Sequence, residues 1–125
     1  MTYPTILLTA SEAAIRCDVC AWLTRFGYEV VTAGSAGEAL AVLRASHAIG
    51  VLVADVSTGG LTLAHEARAI RPNIGVVYTA AAPHRIKEAE RVSGAPILRT
   101  PYAAHQLMGV IAGLNQRVLN ESSAA

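Results

Sequence analysis

The chain has 125 residues, which is one domain on the usual size scale and enough for a single core. Hydrophobic residues make up 53% and charged residues 15%, which excludes disorder, and a formal net charge of +1 gives no electrostatic case for nucleic acid or an anionic membrane. Apolar runs such as Thr5 to Ala10 are too short to span a bilayer, no secretion signal opens the chain, and two cysteines make no disulfide framework, so a cytoplasmic α/β domain is expected.

Thr5-Ile6-Leu7-Leu8-Thr9 reads as the first strand. Ser11 stands where a helix N-cap is wanted, and Glu12 suits the positive end of the helix dipole. Ile15, Val19, Leu23 and Phe26 recur at spacings of four, four and three, one helical face, and Gly27 stops that helix. Tyr28 to Ala33 is the second strand. Ser35 caps a helix whose apolar stripe is Ala39, Leu40, Val42 and Leu43. Gly50-Val51-Leu52-Val53-Ala54-Asp55 is an uncharged run ending in a carboxylate, as a strand buried on both faces of a parallel sheet would read. Val56-Ser57-Thr58-Gly59-Gly60 is a loop. Leu61, Ala64, Ala67 and Ile70 describe a helix that Pro72 terminates, and Ile74 to Thr79 is the fourth strand. Pro83 begins a polar fourth helix, about Arg85 to Val92, anchored only by Ile86, Ala89 and Val92 and ended by Gly94. Ala95 to Leu98 is a short fifth strand. From Tyr102 onward, Leu107, Ile111, Leu114 and Val118 mark a final amphipathic helix. Residues 1–120 form one domain without repeat or linker, and 121–125 read as a disordered tail.

Five strands alternating with five helices imply an α/β, doubly wound (βα)5 fold, a parallel sheet with helices on both faces. In such sheets chemistry collects beyond the carboxyl ends of the strands. Those ends carry Thr9-Ala10-Ser11-Glu12, Asp55, Thr79 and Arg99-Thr100-Pro101, which is the candidate site. No Gly-rich phosphate loop follows the first strand and no nucleophile-base pair stands out, so a flavodoxin-like, flavin-binding enzyme lacks a site and a small-molecule substrate is not expected. Cys17 and Cys20 form a CxxC inside a helix, where small-residue packing is expected rather than redox chemistry. His47, His65, His84 and His105 are scattered over different elements and suggest no metal cluster.

Taken together, the residues resemble the receiver domain of bacterial two-component response regulators (CheY-like) over the whole chain. Ile6-Leu7-Leu8-Thr9-Ala10-Ser11-Glu12 with Ala14-Ile15-Arg16 is similar to that family's opening strand, acidic pair and first helix. Phe26-Gly27-Tyr28-Glu29-Val30-Val31-Thr32-Ala33 followed by Gly37-Glu38-Ala39-Leu40 is similar to its second strand and helix. Val53-Ala54-Asp55 matches the strand ending in the phosphoacceptor aspartate, and Ile70-Arg71-Pro72 the end of the third helix. Tyr78-Thr79-Ala80 matches the strand with the switch threonine, and Leu98-Arg99-Thr100-Pro101-Tyr102 the last strand and Pro-aromatic pair. The resemblance implies strand order 2-1-3-4-5, Asp55 as phosphoacceptor, Thr79 as switch, and signalling proteins (a histidine kinase or downstream effector) as partners.

Four departures set the functional expectation. The family's two acidic positions after the first strand, which help hold Mg²⁺, are Ala10 and Ser11; its lysine is Thr100; its aromatic switch falls on Ile97; and its proline after the phosphoacceptor is Gly59. Asp55, Glu12 and Ser57 are what remains for a metal, a weak set for a hard cation that wants several oxygen ligands. Thr100 also removes the positive charge that would face an acyl phosphate, and Arg99, next in the strand, points to the opposite face. The expectation is a stand-alone degenerate receiver acting by protein-protein interaction, with Arg85, Arg91 and Arg99 on the docking face. The alternative is a single-domain regulator still phosphorylated on Asp55.

Overall fold

Alternation along the strands decides the architecture. In the computed structural model, which describes the backbone of residues 4–124 and the side chains of residues 4–114, five strands form one parallel sheet in the order β2-β1-β3-β4-β5. The strands are β1 (Thr5–Thr9), β2 (Val30–Ala33), β3 (Ile49–Asp55), β4 (Gly75–Ala80) and β5 (Ile97–Arg99). Successive side chains point to opposite faces, so each strand feeds two cores. Leu7, Leu52, Ala54, Val76 and Tyr78 face one side and pack with Leu43, Leu63 and Ala67. Ile6, Leu8, Val51, Val53 and Val77 face the other and pack with Leu23, Leu107 and Ile111. Two apolar faces are why the strands read as continuous hydrophobic runs.

Four α-helices cover the sheet: α1 (Ala13–Arg25), α2 (Ala36–Ala45), α3 (Gly60–Ile70) and α4 (Ala104–Ala124). The two cores place α2 and α3 on one face and α1 and α4 on the other. The N-cap of α1 is Glu12 rather than Ser11, and its carboxylate makes no capping bond. The helix ends in a Schellman motif: Gly27 (φ 95°) donates to the Thr24 carbonyl and Tyr28 to that of Leu23. Of the four-residue apolar stripe only Val19 and Leu23 are buried; Ile15 and Phe26 are exposed, Phe26 stacking on Trp22 with ring centroids 4.2 Å apart. In α2, Ser35 caps as expected, accepting from the Glu38 N–H, and Glu38 in turn accepts from Gly34. Arg71, the C-cap of α3, donates to the carbonyls of Leu43, Ser46 and Ile49, tying α2, β3 and α3 together.

The expected helix at Arg85 to Val92 does not form, so the pattern is not five strands with five helices. Two short 3-10 turns, Pro83–Arg85 and Glu88–Glu90, take its place, with Ile86 and Lys87 extended between them. The reason lies in the backbone groups a helix would need. The Val92 N–H donates to the Tyr78 hydroxyl at 3.0 Å, and the Glu90 carbonyl contacts His65 Nε2 at 2.9 Å. With only three apolar residues to anchor it, so short a helix cannot compete with these tertiary bonds. The last helix runs to Ala124, so residues 121–124 are helical where a tail was expected, and Ala125 lies outside the described residues. Leu107, Ile111 and Leu114 are buried as the periodicity required, while the side chain of Val118 lies outside the described set.

Candidate functional site

Asp55 is the last residue of β3 and half-buried, between β1 and β4 at the carboxyl edge of the sheet. Thr9, at the end of β1, is buried and bridges to it: its hydroxyl accepts from the Asp55 N–H at 2.9 Å and donates to the Val53 carbonyl at 2.6 Å. On the other flank Thr79 is paired in register with Asp55 and only 2% exposed. The carboxylate itself caps the 3-10 turn Val56–Thr58: the Ser57 N–H and hydroxyl both donate to Oδ1, at 3.1 and 3.0 Å. Among the described residues its Oδ2 accepts no hydrogen bond.

Glycine is required just below. A Cβ on Gly60, the first residue of α3, would lie 2.6 Å from the Asp55 carbonyl oxygen, so the helix start is pressed directly against the site's backbone. Gly59, with φ 79°, makes the left-handed turn that permits this approach.

At the β1–α1 corner an arginine holds the turn. Ala10 is buried, Ser11 and Glu12 are exposed, and the carbonyls of Ala10 and Ser11 accept from Arg16 Nη1 at 2.5 and 3.2 Å. The guanidinium also lies against Gly34, where a Cβ would sit 3.2 to 3.4 Å from it. Among the described residues no three His, Cys, Asp or Glu side chains gather as ligands. Asp55 and Ser57 are in contact with each other, whereas Glu12 stands at the end of α1 with no bond to either.

At the β5 end, Thr100 donates its N–H to the Ala80 carbonyl at 2.9 Å and precedes Pro101 through a cis peptide bond. Tyr102 then turns back onto the α1/α4 core. Burial, and secondly the negative charge of Asp55, push its phenol up to about 12. Ile97 is half-buried against the α2/α3 core; Arg85 and Arg99 are exposed; Arg91 is half-buried with its Nε enclosed.

The strand-end residues Thr9, Asp55 and Thr79 lie on adjacent strands at this edge, Ser57 contacts Asp55, and the contacts of Arg16 with the turn carbonyls had no counterpart in the sequence reading. Nothing local marked Arg16, whose bonds run back across the turn. Cys17 is exposed and not packed, while Cys20 lies 3.9 Å from the Thr24 hydroxyl, both within α1.

No family model and no curated protein matches the chain. Solved structures do. A response regulator receiver protein from Sinorhizobium medicae WSM419 is 30% identical, with a TM-score of 0.81, over 90% of this chain and 94% of that one. The chain belongs to the response regulator receiver family. A receiver domain protein from Clostridium thermocellum is 25% identical with a TM-score of 0.82, covering 93% of this chain and 98% of that one. NtrX from Brucella abortus shares the fold at 24% identity and a TM-score of 0.84, this receiver aligning with 29% of its length. The receiver fold with strand order 2-1-3-4-5 stands as expected, and no helix among the described residues is long and apolar enough to cross a membrane.

Proposed function

We propose that this receiver is a degenerate one that works by binding other signalling proteins, with Mg²⁺-dependent phosphorylation of Asp55 weak or absent. The observation that carries the reading is the β1–α1 corner: its two turn positions are Ala10 and Ser11, and the Arg16 guanidinium holds their carbonyls. A hard dication needs several oxygen ligands with carboxylates supplying the charge. Ala10 and Ser11 supply none, and the fixed positive charge of Arg16 opposes a second cation. The residues present therefore do not fit Mg²⁺. Thr100 and Tyr102 offer no positive charge to an acyl phosphate.

Intact-mass measurement after acetyl phosphate treatment, with and without Mg²⁺, tests this directly. No added phosphoryl group in either condition is the expected result. The second reading, phosphorylation of Asp55 by a histidine kinase, draws on the free Oδ2 and the register with Thr79. A Mg²⁺-dependent mass gain that vanishes in Asp55→Asn would establish it instead. For the binding face, exposed Arg85 and Arg99 are the proposed contacts together with Arg91, and Ile97 leaves coupling to the site weak. Reversing charge at Arg85 and Arg99 should weaken capture of a partner without unfolding the domain. Capture that survives this change but is lost on altering Arg16 and Trp22 would move the face to α1.

A further inference from the structure

A cavity of about 500 Å³ opens at the end of the sheet away from Asp55, where the β4–β5 connection returns toward β5. Arg91 and Ser93 line it together with Val92, Ala95 and Pro96, and Glu88 stands on its rim. The Nε of Arg91 is buried and has no hydrogen-bond acceptor, and no carboxylate among the described residues pairs with its guanidinium. Behind Ser93, Arg68 donates from Nη1 to the Ser93 hydroxyl at 3.4 Å and from Nε to the Ile74 carbonyl at 2.7 Å. Its charge is likewise unpaired by any described carboxylate. Arg91 is therefore the cation among the cavity's lining residues, with Glu88 the lining carboxylate and Arg68 reaching the site only through Ser93. An arginine fork without an acid is matched to a planar or tetrahedral oxyanion, which accepts two parallel N–H bonds.

The geometry points to a binding site for the phosphate group of a small phosphorylated molecule, held by Arg91 with Ser93 donating its hydroxyl and Arg68 adding charge from behind. The cavity is larger than a phosphate, and Val92, Ala95 and Pro96 give the remaining volume an apolar wall, the mixed lining typical of small-molecule sites. The missing helix is what opens it, because the chain reaches Val92 in extended turns and Gly94 takes a left-handed φ of 71° with open space at its Cβ position. The site is separate from Asp55 but shares Arg91 with the docking face proposed above.

Titration of the ¹⁵N-labelled protein with inorganic phosphate and with phenyl phosphate tests it, with sodium chloride at matched ionic strength as control. Saturable shifts of the Val92, Ser93 and Gly94 amides are expected, with a Kd of about 1 mM for phosphate. Phenyl phosphate should bind several-fold tighter through the apolar wall. Arg91→Gln should abolish the shifts and Arg91→Lys should weaken binding about tenfold, since lysine keeps the charge but loses the fork. Asp55→Asn should leave them unchanged. Shifts that chloride reproduces, that survive Arg91→Gln in a spectrum otherwise unchanged, or that never saturate overturn the site. Phenyl phosphate binding no tighter than phosphate overturns the assignment to an organic phosphate.

Discussion

At the scale of single residues, Asp55 does two jobs that substitution can separate. Its Oδ1 holds the 3-10 turn through Ser57, a contact asparagine can keep and alanine cannot. Asp55→Ala should cost about 1 kcal/mol in urea unfolding, in the range of a lost N-cap, and Asp55→Asn clearly less. Equal losses would mean that charge rather than the acceptor oxygen matters there. Tyr102 gives a pH dependence of definite sign. Its folded pKa, about 12, lies above the unfolded value near 10. The native state therefore keeps its proton longer than the unfolded chain, so this contribution is full below about pH 10 and lost as pH rises toward 12. Tyr102→Phe should flatten that alkaline decline in a series of melts. Asp55→Asn should lower the phenol's pKa only in part, because burial is the larger cause, and tyrosinate absorbance would report it.

At the scale of elements, the close approach of α3 to β3 makes Gly60 irreplaceable. Gly60→Ala forces a methyl against the Asp55 carbonyl, and overpacking of this kind costs about 1–3 kcal/mol, measurable as a drop in the urea midpoint. In the β4–β5 connection, Tyr78→Phe leaves the Val92 N–H without its acceptor, at about 1–3 kcal/mol, and should speed amide exchange from Arg85 to Val92 before it affects β3. This connection is also where reading the sequence fell short. Ile86, Ala89 and Val92 have a helical spacing, but the partners that claim the Glu90 carbonyl and the Val92 N–H are His65 and Tyr78, distant along the chain. The strands were legible because burial on both faces leaves a local signature, continuous apolar runs ending at a polar residue. Stripes on α1 and α3 were legible only in phase: Ile15, Phe26 and Ile70 have the right spacing yet stay exposed, since spacing does not report how wide a stripe the sheet covers.

For the whole molecule, the proposed loss of the metal site predicts that millimolar Mg²⁺ leaves the melting temperature unchanged. A ligand stabilises by RT ln(1 + [L]/Kd), which vanishes when Kd far exceeds the concentration. A Mg²⁺-dependent rise that disappears in Asp55→Ala would show that Ser11 and Glu12 rebuild the site. Asp55 and Thr79 were legible as neighbours because they lie near the carboxyl ends of adjacent strands, with Ser57 following in the turn after Asp55. The Arg16 clasp was not, because it depends on carbonyl directions within one turn. The Trp22–Phe26 stack has a practical consequence of another kind. Trp22 is the chain's single tryptophan and lies ten residues along α1 from Glu12, about 15 Å down the helix. Its emission is thus an intrinsic gauge of whether α1 is seated, sensitive to loss of the Phe26 ring. One fluorescence spectrum, with no label attached, can separate denaturation from covalent modification in every assay described for Asp55.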